Sequence, residues 1–215
     1  MTYIAERREE EKERRRSEIL AAAETLYAKQ GWDAVTMDHV ARSARLSRAL
    51  LYVYFRDKED LLFAIGERAM QLLNSRFEAA ATGPGTGLQH VEAIGRAYLG
   101  YALEFPHFFD VCSRFQSHAM SSEPSANESA CHLAGDQVMG TVVQVIEAGI
   151  RDGSVRKDIG DPLMVAFSLW AFTHGIAQVV MAKSADLARR GIAIPDFSNY
   201  AFRLLIEALQ QYRPT

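Results

Sequence analysis

The chain is poor in cysteine, proline and glycine, and each shortage excludes a class of protein. Its 215 residues include two cysteines, six prolines and 14 glycines. Two cysteines cannot build a disulfide framework, and so little proline and glycine excludes collagen-like and low-complexity chains. Val, Ile and Thr never alternate with polar residues in runs bounded by turns, so we expect no strand. The sequence therefore predicts an all-α protein of about nine helices.

Export and membrane signals are equally scarce. The first 16 residues are densely charged and no apolar stretch follows them, so we expect no signal peptide. The longest apolar segment, residues 163–182, is interrupted by Ser168, His174 and Gln178. These polar residues favour a buried helix over a membrane span. We therefore expect a cytoplasmic protein with no membrane partner.

Motifs of common enzymes and metal sites are missing from the sequence. The chain contains no GxSxG, HExxH or Walker loop. Two sets of possible metal ligands, one at His107, Cys112 and His118 and one at Cys131 and His132, lack repeated spacing and enough partners. The sequence thus predicts no enzyme activity, no metal site and no cofactor.

What the chain does contain is a compact basic window within a mildly acidic protein. The formal net charge is −3, yet residues 42–58 carry five cations and one carboxylate, a local charge of +4. Such a window suits a small surface that reads nucleic acid. An ordinary solvated face would have the same charge, so charge alone does not decide between the two.

Helix caps divide this window into short helices. Thr36 and Ser47 are suitable N-caps for two successive helices, and Asp57 can cap a longer third one. Only Arg45 and Leu46 separate the first helix from the second cap. Two short helices joined by a tight turn are typical of a helix-turn-helix, whose second helix enters the major groove of DNA.

The second short helix, residues 47–54, is expected to have two different sides. Leu51 falls on the side that packs against neighbouring helices. The opposite side combines a cation, small or apolar residues and a phenol, and a cation there can pair with guanine. The alternative is that Tyr52 and Tyr54 belong to the core, although both cannot share the side of Leu51.

The run Tyr-Val-Tyr-Phe-Arg-Asp-Lys-Glu-Asp-Leu at 52–61 follows Gly31 and Thr36 at a specific distance. Together with the surrounding stretch, residues 15–65, it resembles the TetR/AcrR family of bacterial transcriptional regulators. The resemblance implies an all-helical homodimer whose N-terminal helices bind a palindromic operator in double-stranded DNA. It also implies a larger C-terminal domain that binds a small effector and thereby weakens DNA binding.

Carried over by position, the resemblance assigns phosphate contacts and groove contacts, with some departures. Arg45 stands where the family usually has glycine, so either the turn differs or Arg45 is kept for a phosphate. Ala49 and Leu50 stand where members often have Gly and Thr. The predicted DNA-binding residues are Thr36, Arg45, Ser47, Arg48, Ala49, Leu50, Tyr52, Val53, Tyr54 and Lys58.

The implied division is a charged arm at 1–16, a helix-turn-helix domain at 17–62 and a ligand-binding and dimerisation domain at 63–215. Helices in the last part are expected at about 88–104, 106–120, 127–152, 162–183 and 196–212. Of the last two, the first leaves little of its surface polar and the second has an apolar stripe, which favours burial on both sides and a homodimer seam. The seam candidates are Leu163, Val165, Ala166, Leu169, Trp170, Phe172, Phe202, Leu205, Ile206 and Leu209.

A pocket for an amphipathic organic compound would need apolar walls and a few polar groups. The family resemblance implies such a pocket, and the alternative for each residue is an ordinary place in the core. The predicted ligand-binding residues are Phe108, Phe109, Cys112, Phe115, Met139, Val143, Phe167, Trp170 and His174.

The favoured hypothesis is a sequence-specific DNA-binding transcriptional regulator, a repressor released from its operator by a small amphipathic ligand. One alternative is a helical ligand-binding or protein-interaction module that has lost DNA reading, which the departures at Arg45 and Leu50 would explain. Another alternative is a helical enzyme that uses the predicted pocket with its aromatic residues.

Overall fold

The computed structural model describes residues 3–115 and 120–211, with side chains from residue 5 onward. These residues form nine α-helices, one short 3-10 turn at Trp32–Ala34 and no strand beyond an isolated antiparallel bridge between Val155 and Gln210. The all-α prediction is confirmed. The helices are α1 (Tyr3–Gln30), α2 (Met37–Ser43), α3 (Arg48–Tyr54), α4 (Lys58–Ala80), α5 (Gly87–Glu104), α6 (Pro106–Phe115), α7 (Ala126–Asp152), α8 (Pro162–Arg189) and α9 (Ile194–Leu209).

Contacts divide the chain into two compact units. The first unit comprises residues 1–69 and 106–133, and the second comprises residues 70–105 and 134–215. Helices α4 and α7 therefore each run through both units. The predicted boundaries after residues 16 and 62 divide the chain by role rather than by contact, and they stay a prediction.

In the first unit, α6 packs against α4 through an aromatic stack. The rings of Phe63 and Phe115 lie 4.9 Å apart, nearly parallel. Gly66 makes this approach possible, because a Cβ atom there would lie 2.4 Å from the Phe115 ring. No real side chain tolerates that distance, so α4 needs a glycine where α6 lies against it.

A polar network connects α6 to the end of α1. The Tyr27 hydroxyl donates to Asp110 at 2.6 Å, and the Arg114 guanidinium contacts Asp110 at 3.0 Å and Asp33 at 3.1 Å. Burial and the Asp110 carboxylate raise the pKa of Tyr27 well above its usual range. The hydroxyl therefore stays protonated and remains the donor of this bond.

The second unit is held together by close helix approaches. A Cβ on Gly87 of α5 would lie 2.1 Å from the Gly149 nitrogen of α7, so the two backbones touch. Two turns further along α5, a Cβ on Gly95 would lie 2.7 Å from the ring of Phe202. Phe202 belongs to a buried cluster with Ile176 and Val180. Gly87 and Gly95 thus let two helices, α7 and α9, approach α5 closely.

The predicted helix ends are mostly confirmed. Pro106 and Pro162 occupy first-turn positions, and Asp161 caps α8 by accepting from the Leu163 nitrogen at 2.8 Å. The expectation that the last helix begins at about residue 196 is wrong by two residues, because α9 begins at Ile194 and Asp196 lies in its first turn rather than at its N-cap. Residues 116–119 of the predicted helix at 106–120, and His118 with them, lie outside the described residues.

Candidate nucleic-acid interface

Helix α3 has the two sides expected from its sequence. Leu51, with Phe55 just after the helix, has no exposed surface. Tyr52 is 41% exposed and Val53 77% exposed, so the alternative that Tyr52 is a core residue is wrong. Arg48, Ala49 and Leu50 are exposed as well, and Tyr54 is half-buried at the edge. One side of α3 therefore holds the helix in place while the other faces outward.

Side-chain caps begin the helices on either side of the turn. The Thr36 hydroxyl accepts from the His39 nitrogen at 3.2 Å, and the Ser47 hydroxyl accepts from the Leu50 nitrogen at 3.2 Å. Asp57 accepts from the Asp60 nitrogen at 2.8 Å at the start of α4. All three predicted caps are confirmed. A hydroxyl that accepts a capping bond can still donate its own proton to a phosphate oxygen.

The turn between α2 and α3 passes through a left-handed residue. Arg45 has φ 56°, and the Leu46 nitrogen closes the turn by donating to the Ala41 carbonyl at 2.8 Å. The turn therefore has the conformation that glycine normally serves, with arginine in its place. A left-handed backbone costs a non-glycine residue about 1–2 kcal/mol. Arg45 is thus an exposed cation whose backbone conformation is strained.

Arg48 is held by two neighbours on the exposed side. Its Nε atom lies 3.3 Å from a carboxylate oxygen of Asp38 in α2, and its Nη2 atom donates to the Tyr52 hydroxyl at 3.4 Å. The guanidinium also lies 5.6 Å from the centre of the Tyr52 ring. The Tyr52 hydrogen bond and the Asp38 charge raise the pKa of Arg48. The sequence-based prediction did not include Asp38, because an acid just before the basic window looks like an ordinary solvated residue.

Lys58 has a structural role that its sequence position did not reveal. Its ammonium donates to the Trp32 carbonyl at 2.8 Å and to the Asp33 carbonyl at 3.4 Å, and lies 5.1 Å from the centre of the Trp32 ring. Partial burial lowers the pKa of Lys58. The side chain thereby connects the start of α4 to the segment between α1 and α2. Its predicted phosphate contact stays a prediction.

An exposed apolar face runs along α8 and α9 of the second unit. Met164 and Phe172 are 67% and 62% exposed, and Tyr200 and Leu204 of α9 are also at least half exposed. Helix α8 is long and apolar enough to cross a membrane by length and composition alone. The structure corrects part of the predicted seam, because four of its residues lie inside the unit and cannot reach a partner subunit: Val165, Ala166, Phe202 and Leu209.

The predicted ligand-binding residues fall in both units. In the first, Phe108, Phe109 and Cys112 are buried, and Phe115 is stacked on Phe63 as described. In the second, Met139 and Val143 are half-buried on α7, whereas Phe167 belongs to the exposed apolar face. Each remains a prediction as a ligand contact.

A buried polar pair in the second unit includes one predicted ligand-binding residue, His174, and lies beside another, Trp170. The Tyr98 hydroxyl is 2.8 Å from Nδ1 of His174, and the Trp170 ring centre is 5.6 Å from that of His174. Burial lowers the pKa of His174. The imidazole is therefore neutral near pH 7. Tyr98 was not among the predicted residues, since it is 76 positions away in sequence.

Two family models match the chain. The model of bacterial regulatory proteins of the tetR family matches residues 19–65. The model of the tetracyclin repressor-like C-terminal domain matches residues 91–209, which is more than half of the chain.

Similar proteins are regulators that carry the same motif. HbdR, an HTH-type transcriptional regulator of Aromatoleum sp. (strain CIB), is 45% identical over 51 residues, which are 24% of this chain and 22% of HbdR. KstR2, an HTH-type transcriptional repressor of Mycolicibacterium smegmatis, is 25% identical over 153 residues, which are 71% of this chain and 73% of KstR2.

Solved structures share the fold. A regulator of the TetR/AcrR family from Thermobifida fusca is 22% identical with a TM-score of 0.67, over 93% of this chain and 99% of that one. AibR, solved in complex with isovaleryl coenzyme A and operator DNA, is 19% identical with a TM-score of 0.59, over 76% of this chain and 86% of AibR.

The strained turn makes a testable prediction for stability. Replacing Arg45 with glycine removes the left-handed strain, so we expect the free energy of unfolding to rise by about 0.5–1 kcal/mol. Arg42→Gly is the matched control, because it removes the same charge from the last turn of α2, where the backbone is helical, and should cost up to about 1 kcal/mol. Urea denaturation followed by circular dichroism measures both. Equal destabilisation by the two substitutions would contradict the assignment of strain to Arg45.

Proposed function

Because the chain belongs to the TetR family of bacterial regulatory proteins, we propose that it represses transcription from a palindromic operator and is released by an amphipathic organic compound. It is a DNA-binding transcriptional regulator and not an enzyme. The observation that carries the finer proposal is the exposed side of α3, with Arg48, Ala49 and Tyr52 directed away from a fully buried Leu51.

The exposed side of α3 is the proposed base-reading surface. Arg48 offers a guanidinium for guanine, and Leu50 and Val53 offer methyl groups for thymine. Around it, the hydroxyls of Thr36, Ser47 and Tyr54 are proposed to donate to phosphates, with Arg45 and Lys58 adding charge. Contacts to phosphates position the protein, whereas contacts to base edges decide the sequence.

A palindromic operator requires two copies of this surface. Half-sites lie about 34–36 Å apart or a multiple of that, which one short helix cannot span. We propose that the exposed apolar residues of α8 and α9 join two subunits, because many large apolar side chains exposed on two helices are typical of an interface. Covering that face in a dimer accounts for the apolar character of α8 without a membrane. The protein would then act in the cytoplasm, where its DNA is.

The proposed effector contacts the second unit near Tyr98, His174 and Trp170. A neutral imidazole, a phenol and an aromatic ring suit a compound with an apolar body and a polar group. KstR2 of Mycobacterium tuberculosis is described as a ketosteroid transcriptional regulator, and AibR binds isovaleryl coenzyme A. A steroid ketone and a short acyl thioester are both amphipathic and are therefore the first two classes to examine.

Release would follow from a shift in population. Helix α4 begins beside the DNA-reading helices and continues into the second unit. An effector that favours one position of α4 would change the distance between the two α3 helices of a dimer. A coupling free energy of about 1–3 kcal/mol is typical and corresponds to about a 5- to 150-fold loss of DNA affinity.

The first prediction from the proposed function concerns DNA reading. We expect the full chain to select a palindromic site from a randomised duplex library, with affinity that falls as salt rises. Arg48→Ala combined with Tyr52→Ala should cut the preference for that site at least tenfold and leave weak, salt-dependent binding to any duplex. Fluorescence anisotropy gives both affinities, with Arg151→Ala on α7 as the control. Failure to enrich any site would favour the alternative of a module that has lost DNA reading.

The second prediction concerns assembly. Phe172→Glu places a charge on the exposed apolar face of α8, so we expect the dimer to dissociate at micromolar concentration and operator affinity to fall at least tenfold. Leu103→Glu on α5 is the matched control, since Leu103 is also half exposed but lies on another helix. Sedimentation velocity measures the mass of each variant. A Phe172→Glu dimer as stable as the Leu103→Glu dimer would contradict the proposed dimer interface on α8.

The third prediction concerns the effector. Tyr98→Phe keeps the ring and removes the hydroxyl that contacts His174, so we expect about a tenfold rise in the concentration of effector needed to release DNA. DNA affinity without effector should not change. Isovaleryl coenzyme A and a ketosteroid are the probes, added to the protein bound to its selected site. Equal release concentrations for the variant and the wild type would remove Tyr98 from the effector site.

A further inference from the structure

We infer that Asp38 is a positioning residue that orients Arg48 for guanine and thereby sharpens operator choice. The inference rests on the proposed function of α3 and concerns a residue of α2 that none of the predicted contacts include. Asp38 lies ten residues before Arg48 on the opposite side of the turn. Both side chains are exposed, at 53% and 62%, so neither is held by burial.

The contacts restrain Arg48 from two directions. One carboxylate oxygen of Asp38 lies 3.3 Å from Nε, and the other accepts from Nη1 at 3.5 Å. On the other side, Nη2 donates to the Tyr52 hydroxyl at 3.4 Å, and the Tyr52 ring lies beneath the guanidinium at 5.6 Å. A flexible arginine is thus drawn towards one conformation before DNA arrives. Less side-chain entropy is then lost when it binds a base.

The restraint leaves the guanidinium able to read a base. An arginine has five N–H donors, and the hydrogen bonds to Asp38 and Tyr52 use two of them, one on Nη1 and one on Nη2, which leaves three. Two parallel N–H groups are what a bidentate contact to the O6 and N7 atoms of guanine requires. The Asp38 carboxylate also opposes phosphates near the same surface, which weakens binding to unrelated DNA. Asp38 therefore favours specificity at the expense of general affinity.

The Asp38 carboxylate is thus expected to raise the preference for guanine and to lower the affinity for unrelated DNA, and these opposite effects make the inference testable. We expect Asp38→Ala to lower the preference for guanine at one position of each half-site about two- to fivefold, the worth of an exposed ion pair. The same variant should bind an unrelated duplex more tightly, because a negative charge has been removed. Asp38→Asn keeps the shape and one acceptor oxygen. Its guanine preference and its affinity for an unrelated duplex should lie between those of the wild type and of Asp38→Ala. Loss of folding alone would lower both affinities together.

The experiment uses the full chain and the site that the wild type selects from a randomised duplex library. Affinities are measured by fluorescence anisotropy for that site, for each single base-pair variant of it and for an unrelated duplex. Glu59→Ala is the matched control, because Glu59 occupies the same first-turn position in α4. It should raise affinity for unrelated DNA without changing any base preference. Thermal unfolding followed by circular dichroism confirms that each variant is folded.

A double-variant cycle separates this role from direct reading by Asp38. In an Arg48→Ala background, Asp38→Ala should no longer change any base preference. A preference that still changes there would mean that Asp38 reads a base itself, and it would overturn the inference. An unchanged guanine preference in Asp38→Ala alone would also overturn it, while the proposed function would survive. If the wild type selects no site, the proposed function fails and this inference with it.

Discussion

The burial of Leu51 and Phe55 is the constraint on which the DNA-reading surface depends. Helix α3 has seven residues, too few to be stable alone, because helices shorter than about 12–15 residues are marginal in water. Its stability therefore comes from packing, and packing also decides its rotation. With Leu51 and Phe55 inside, Arg48, Ala49 and Tyr52 remain exposed. The same apolar contact that stabilises α3 thus selects the side chains that it presents.

Several polar contacts then keep that surface in place within the first unit. Lys58 connects the start of α4 to carbonyls near Trp32, and Arg114 connects α6 to Asp33 just beside them. Each contact is modest by itself, since exposed ion pairs contribute about 0–1 kcal/mol. Together they converge on the short segment between α1 and α2. That segment sets where α2 begins, and α2 in turn carries the turn at Arg45.

The second unit uses apolar residues in two different ways. Phe202 of α9 is buried against Gly95 of α5, whereas Tyr200 and Leu204 on the same helix remain exposed. The predicted seam therefore mixed core residues with surface residues. Helix α8 is apolar nearly all round and gives no periodic signal of which side faces inward, because that signal requires a polar side for contrast.

The sequence by itself determined the helices, the caps of α2, α3 and α4 and the two sides of α3, since capping and helical periodicity depend on residues close together in the chain. It also pointed to the strained position at Arg45, although not to the conformation that the turn adopts. Only the tertiary structure decided that Asp38 meets Arg48, that Tyr98 meets His174 and that Lys58 is occupied by backbone carbonyls. Contacts of this kind depend on how separate helices pack, and no local pattern of residues encodes that arrangement.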